Sequence, residues 1–345
     1  MADKTPLATR YNRRMSRFTN LFSDSMFAPV LRQNPIAFCD IGARGGFDPD
    51  LLPVAFGVLA TGFEPDPDEF ARLKTSDPGP WLSATLLPTA IGAKTGPHQL
   101  HIPREPEGAS LLPPLENLPL HLSKDQYFNI ERTVPVNTVT LDHLIAKTEM
   151  MAPDCLKSDI EGLELAVLQA SPLALANLLA VKMEVAFVEL RQGQPIAGEI
   201  QTFMSANGFY LMDLMRPAHW RSSGYVTHPH AGKENIPYSR GQLIQGDFLF
   251  LKKIEVLATE EPVPIHQILK LVMLSMSYGY FDYAADILKH PRVVSRLMDH
   301  KLPDLLDSLA ICSRRYGRLV ARREFRRHVR LLGPYLRRLP DLILK

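Results

Sequence analysis

An apolar run ending in an acid and a cluster of glycines, Phe38-Cys39-Asp40-Ile41-Gly42-Ala43-Arg44-Gly45-Gly46-Phe47, is followed by a second run ending Gly62-Phe63-Glu64-Pro65-Asp66. Glu64 lies 24 residues after Asp40. The order reads strand, glycine turn, helix, strand, carboxylate. Such a turn lets backbone approach a ligand closely, and a carboxylate at the second strand's end accepts hydrogen bonds from ribose hydroxyls. A dinucleotide site calls for G-x-G-x-x-G, so that a helix N-terminus meets a pyrophosphate. Here Gly42, Gly45 and Gly46 are spaced G-x-x-G-G, and the acid Asp40 precedes the turn. A carboxylate there repels pyrophosphate and suits a cationic ligand bearing an amino group and a sulfonium, namely S-adenosylmethionine. A nicotinamide-dependent oxidoreductase on a related fold is the competing enzyme class, and this spacing argues against it.

From about 36 to 253 strand and helix patterns alternate, which predicts an α/β fold with a mostly parallel sheet. Expected strands are 36–41, 58–64, 84–91, 154–159, 180–189, 208–213 and 246–252; expected helices are 67–74, 139–147, 162–170 and 196–206. Residues 92–135 and 215–245 read as long irregular insertions of the kind that form lids or substrate loops. The second carries His219, Trp220, Tyr225, His228, His230 and Tyr238. His228-Pro229-His230 lacks a partner at zinc spacing, so no metal ligand is assigned there; magnesium held by Asp159 and Glu161 is the open alternative, since hard cations favour oxygen ligands.

Residues 1–35 read as a basic N-terminal arm and 254–345 as a helical C-terminal extension. Within the latter, 265–289 has the pattern of a helical hairpin turning at Tyr278-Gly279-Tyr280. The helices over 303–339 hold ten arginines, Arg314 to Arg338. Their sparse aromatics argue against a specific nucleic-acid partner, whereas peripheral contact with an anionic membrane or polysaccharide is open to them. The bland alternative is a solvated basic face. The net charge of +2 adds nothing, and three cysteines, too few for a framework, suit a reducing compartment. With neither an apolar leader nor a spanning run, the chain is expected to be cytoplasmic.

The second strong motif is Leu156-Lys157-Ser158-Asp159-Ile160-Glu161-Gly162-Leu163-Glu164. A buried strand ends in charged residues, and in an open parallel sheet the carboxyl ends of strands form the ligand crevice. Lys157, Asp159 and Glu161 are therefore candidate catalytic residues, with Glu184 on the next strand a further one. Helix-dipole complementation accounts for Glu161 and Glu164 but not for Lys157 and Asp159.

Taken together, Asp40–Phe47, Phe63–Pro67, Ala90–Gly92, Thr138–Asp142, Leu156–Glu164 and Met183–Val185 resemble, in order and spacing, the FkbM family of S-adenosylmethionine-dependent methyltransferases over about 36–252. The resemblance implies a class I methyltransferase (Rossmann-like) fold, a seven-stranded mostly parallel sheet whose last strand, 246–252, is antiparallel. It implies O-methylation of a hydroxyl, on a sugar in a glycan or glycolipid or on a secondary metabolite. It also implies that Asp40, Gly42 and Gly46 form the methionine-side turn, that Glu64 takes the ribose, and that Thr89 and Ala90 flank the adenine. Arg44 stands where the family favours a small or amide residue; it either reaches the cofactor carboxylate or crowds the site. Ser158 replaces the usual aliphatic residue. The alternative function is a non-catalytic methyltransferase-like scaffold whose basic C-terminal helices bind an anionic partner.

Overall fold

The computed structural model describes residues 17–116, 118, 125–220, 241–300 and 305–343. Residues 1–16 of the basic N-terminal arm, and Tyr225, His228, His230 and Tyr238, lie outside them. The strands of the main sheet are β1 (Ile36–Ile41), β2 (Val58–Phe63), β3 (Ser83–Leu87), β7 (Cys155–Ser158), β8 (Ala180–Ala186), β9 (Phe209–Trp220) and β10 (Gln242–Lys252). A smaller sheet holds β4 (Ala90–Ile91), β5 (Gly96–Pro103) and β6 (Ile130–Val139). Helices in chain order are α1 (Ala28–Gln33), α2 (Pro67–Lys74), α3 (Asp125–Phe128), α4 (Leu141–Ala146), α5 (Glu164–Gln169), α6 (Pro172–Asn177), α7 (Ala197–Ala206), α8 (Ile254–Leu257), α9 (Ile265–Tyr278), α10 (Phe281–Lys289), α11 (Pro291–Asp299) and α12 (Leu305–Ile343).

The seven-stranded order is β3-β2-β1-β7-β8-β10-β9. β3, β2, β1, β7 and β8 pair in parallel, while β10 runs antiparallel to both β8 and β9. This is the expected class I methyltransferase topology, with the antiparallel strand inserted between its neighbours. The order reverses at β1, between β2 and β7, and that switch point opens the crevice used below. β1 is buried on both faces, as a central parallel strand must be.

The stretch 92–135 is not irregular throughout. β5 and β6 pair across Gly96↔Thr138 to Pro103↔Ile130, and β6 alternates in burial along most of its length. Pro135 disguises this strand in the sequence, since proline is excluded from the middle of a sheet. It is tolerated because β4 pairs only with Thr138 and Val139, so β6 is an edge at Pro135. β9 likewise extends beyond the expected 208–213, to Trp220.

The helices after 254 do not stand apart from the sheet. Ile268, Leu271, Val272 and Met276 of α9 share one buried cluster with Phe38 of β1 and Cys155 of β7. A 3₁₀ segment, Pro49–Gly57, lies between, and the Ser277 hydroxyl donates to the Asp50 carbonyl at 2.8 Å. α9 ends where expected, at Gly279, whose φ of +92° closes the helix in the left-handed region. Among the described residues, no helix is long and apolar enough to cross a membrane.

Candidate active site

Side chains two apart on a strand share a face. On one face of the sheet, Phe38, Cys155, Ala180 and Leu251 belong to the apolar cluster under α9. Two residues further along, Asp40, Lys157 and Lys182 stand side by side in register. The next step up carries Gly42, Asp159, Glu184 and Asp247, with Glu184 paired to Asp247. One face thus climbs from hydrocarbon to a row of charges to a row of acids at the crevice.

The middle row is a buried ion network. Lys157 donates to the Gly42 carbonyl at 2.8 Å and lies 3.3 Å from Asp40 and 3.5 Å from Asp159. Asp40 is fully buried and accepts the Asp48 amide at 2.8 Å. Burial pushes its carboxyl up to about 6, against the pull of Lys157. Lys182, also buried, bonds Asp48 at 2.5 Å and Asp50 at 2.6 Å. Burial disfavours the lysine's charge, but Asp48 and Asp50 outweigh it and raise its pKa. These pairs fix the turn from behind.

The turn itself requires glycine at position 42, where φ is +77° and an added Cβ would sit 2.0 Å from the Asp159 carbonyl oxygen. Four of its amides are engaged internally: Gly42 and Ala43 donate to the Phe63 carbonyl, Gly46 to Ala43 and Gly45 to the Glu69 carboxylate. They are not directed at a phosphate, which removes the main support for a dinucleotide. At the end of β2, the Glu64 carboxylate accepts the Asp66 amide at 2.9 Å. Burial raises Glu64 to about 7, opposed by Arg44. Arg44 ion-pairs with Asp66 at 2.7 Å and lies 3.9 Å from Glu64; Arg132 of β6 takes the other Asp66 oxygen at 2.7 Å.

These elements enclose a cleft of about 150 Å³ that is partly open to solvent. Gly42, Arg44, Glu64, Thr89, Ala90 and Asp159 line it, with Ile41, Phe63, Ile91, Leu100 and Ile160 as apolar walls. Pro106 to Leu111 closes one side, tied down where the Ser110 hydroxyl donates to the Glu161 carbonyl at 2.9 Å. Of the residues expected from sequence, Asp40, Gly46, Lys157 and Glu161 stand outside this lining.

At the far end, Asp159, Glu161 and Glu184 bring carboxylate oxygens within 4.8 Å of one another. The Asp159 side chain is 43% exposed. Glu161 is buried, holds a positive φ of +58°, and pairs with Arg191 at 2.7 Å. Such a backbone is costly for a non-glycine residue and tends to mark functional sites. Burial, then Glu161 and Asp159, push Glu184 well above the usual carboxylate range, and Gln245 donates to it at 2.6 Å. The triad has the spacing of cation ligands, but Arg191 and Gln245 already engage two members. Arg191 was not foreseen; it follows β8 as Asp159 follows β7, and the same strand-end logic locates it. Trp220 packs on Tyr127 and Phe128, and the Arg191 guanidinium lies 5.8 Å from the Phe128 ring centre.

The model of the methyltransferase FkbM domain matches residues 40–211, which takes in Asp40, Glu64, Lys157, Asp159, Glu161, Lys182, Glu184 and Arg191 but not Trp220, Gln245 or Asp247. The chain belongs to the FkbM family of methyltransferases. The family's methyl donor is S-adenosylmethionine, and the cleft fits it: a buried acceptor at the end of β2, a glycine turn without room for a Cβ, and apolar walls between. The chain is 27% identical over 147 residues to the hexuronic acid methyltransferase AglP of Haloferax volcanii, covering 42% of this chain and 54% of that one. It thus spans about half the length of this curated relative. Among solved structures, magnesium protoporphyrin IX methyltransferase of Synechocystis PCC 6803 matches at 10% identity over 73% of this chain and 87% of that chain, TM-score 0.31. The Burkholderia thailandensis 1,6-didemethyltoxoflavin-N1-methyltransferase matches at 12% identity over 73% and 93%, TM-score 0.28. The fold assignment rests on the strand order of the FkbM domain itself.

Proposed function

We propose that this S-adenosylmethionine-dependent methyltransferase methylates a hydroxyl oxygen of an uncharged, sugar-like acceptor. The observation that carries the reading is the trio Asp159, Glu161 and Glu184, of which Asp159 lines the cleft. Burial and the nearby Glu161 and Asp159 already push Glu184 well above the usual carboxylate range, so one more carboxylate or phosphate at this corner is disfavoured. A hydroxyl is neutral and brings a proton for which an acid cluster has a use. The relative named for hexuronic acid supports a sugar acceptor, and the acid cluster favours a sugar hydroxyl over a sugar carboxylate.

In this reading Glu64 accepts from the ribose hydroxyls, Thr89 and Ala90 flank the base, and the turn from Gly42 to Gly46 receives the methionine end. Asp40 and Lys157 are positioning residues that act through the Gly42 carbonyl. Arg44 neutralises Glu64 and Asp66 beside the ribose. When bound, S-adenosylmethionine supplies a methyl group already activated on a sulfonium. With the donor bound, Asp159 would take the proton of the acceptor hydroxyl. Burial and its acidic neighbours push Glu184 well above the usual carboxylate range, Asp159 is the member of the trio that lines the cleft, and alignment supplies most of the acceleration. Three free, buried cysteines support a cytoplasmic setting.

The test uses donor labelled in its methyl group with neutral sugars and uronic acids as acceptors. Label in a base-stable ether on neutral sugars supports the reading; label in a base-labile ester overturns it. Asp159→Asn is expected to lower turnover by about a hundredfold or more while donor affinity stays within severalfold. Equal loss of both reassigns Asp159 to the donor site.

A further inference from the structure

The helix α12 changes sides along its length. Its first half buries Leu305, Leu309 and Cys312, and Tyr316, Leu319 and Val320 continue this face against the body. Its second half exposes Phe325 at 70%, Val329 at 48%, Leu332 at 52% and Leu336 at 61%. Thirteen residues separate Cys312 from Phe325, about 220° around a helix of 3.6 residues per turn. The exposed stripe therefore does not continue the core face; it points almost directly away from it. The spacing of four, three and four residues keeps all four side chains in one narrow band.

The same half is strongly cationic. From Arg322 to Arg338 there are seven arginines and a single acid, Glu324, which is shared by Arg323 and Arg327. Among the described residues, Arg322, Arg326 and Arg330 are exposed and pair with no acid. We propose that the second half of α12 docks on an anionic lipid bilayer, its apolar band seated among the acyl chains and its arginines among the headgroups. Each alternative partner leaves one half of the chemistry unmet. A second copy of the helix would satisfy the band but set arginine against arginine. A nucleic acid would satisfy the arginines but offer no hydrocarbon to Phe325 and Leu332. A lipid surface of net negative charge meets both, and a helix of this kind lies in the interface without crossing it.

The test is co-sedimentation of the full-length protein with vesicles of phosphatidylcholine, with and without phosphatidylglycerol. Binding is expected to the anionic vesicles only and to weaken with salt. The double substitution Arg326→Gln/Arg330→Gln is expected to reduce partitioning by roughly thirtyfold. Phe325→Ser/Leu332→Ser is expected to reduce it at least about tenfold with an unchanged melting temperature, because both side chains are exposed. Three results each overturn the proposal: no preference for anionic vesicles; binding indifferent to Phe325→Ser/Leu332→Ser, which leaves a purely electrostatic site such as one for duplex DNA; or a dimer in solution that the same substitution dissociates.

Discussion

Replacing Glu64 with Gln should make the empty protein more stable and its donor binding weaker. Glu64 is 3% exposed, and its carboxyl titrates at about 7 in the folded chain against an ordinary 4.5. The folded state therefore binds more protons than the unfolded state between these values, so the group's contribution to stability falls as pH rises through that window. A gap of two and a half units corresponds to about 3 kcal/mol lost by pH 8 and almost none at about pH 4. Gln occupies the same space, keeps an oxygen for the Asp66 amide, and carries no charge to desolvate. Urea unfolding should show Glu64→Gln near wild type at the acid end and more stable by up to about 3 kcal/mol at pH 8. Binding should move the other way. An amide cannot accept two charge-assisted bonds from a diol, which costs about 2 kcal/mol, or roughly thirtyfold in affinity. Calorimetry with S-adenosylhomocysteine should also show wild-type affinity rising from pH 5 to 8 and the variant's staying flat. A variant less stable than wild type at pH 8, or one binding as tightly, would refute the assignment of Glu64 as a buried acceptor for the ribose.

Two further substitutions probe the scaffold behind the cleft. Gly42→Ala places a Cβ against the Asp159 carbonyl at a positive φ, so a loss of at least about 2 kcal/mol and of donor binding is expected by thermal melting and calorimetry. Lys182→Met removes the buried cation shared by Asp48 and Asp50, leaving Asp50 the half-exposed Arg216, and should cost about 3–5 kcal/mol in urea unfolding at neutral pH.

The crevice was legible in the sequence because its parts are local: a strand, a glycine turn and an acid occupy ten consecutive residues. Topology followed from strand–helix alternation, and the antiparallel β10 from family resemblance. The charge network was harder to see because its members are far apart in the chain, Asp48 and Lys182 by 134 residues. A signal was nevertheless present. Cys155-x-Lys157-x-Asp159 and Ala180-x-Lys182-x-Glu184 are the same small-apolar, basic, acidic ladder at period two on adjacent strands. Arg191 was missed because its role comes from pairing with Glu161, 30 residues earlier. The β5–β6 pair was missed because Pro135 reads as a break unless the short reach of β4 is known. The reach of α9 into the core of β1 is a tertiary fact; apolar helix faces in the sequence do not say which surface they cover.

The ladder of Asp40, Lys157 and Lys182 has a consequence for how such a protein can diversify. It fastens the donor turn to the strand that bears Glu184 by bonds running under the floor, out of reach of any acceptor. Among the described residues, the segment 106–111 takes no part in these bonds, so it is free to be rebuilt for a new acceptor while the spacing between donor and proton acceptor is preserved.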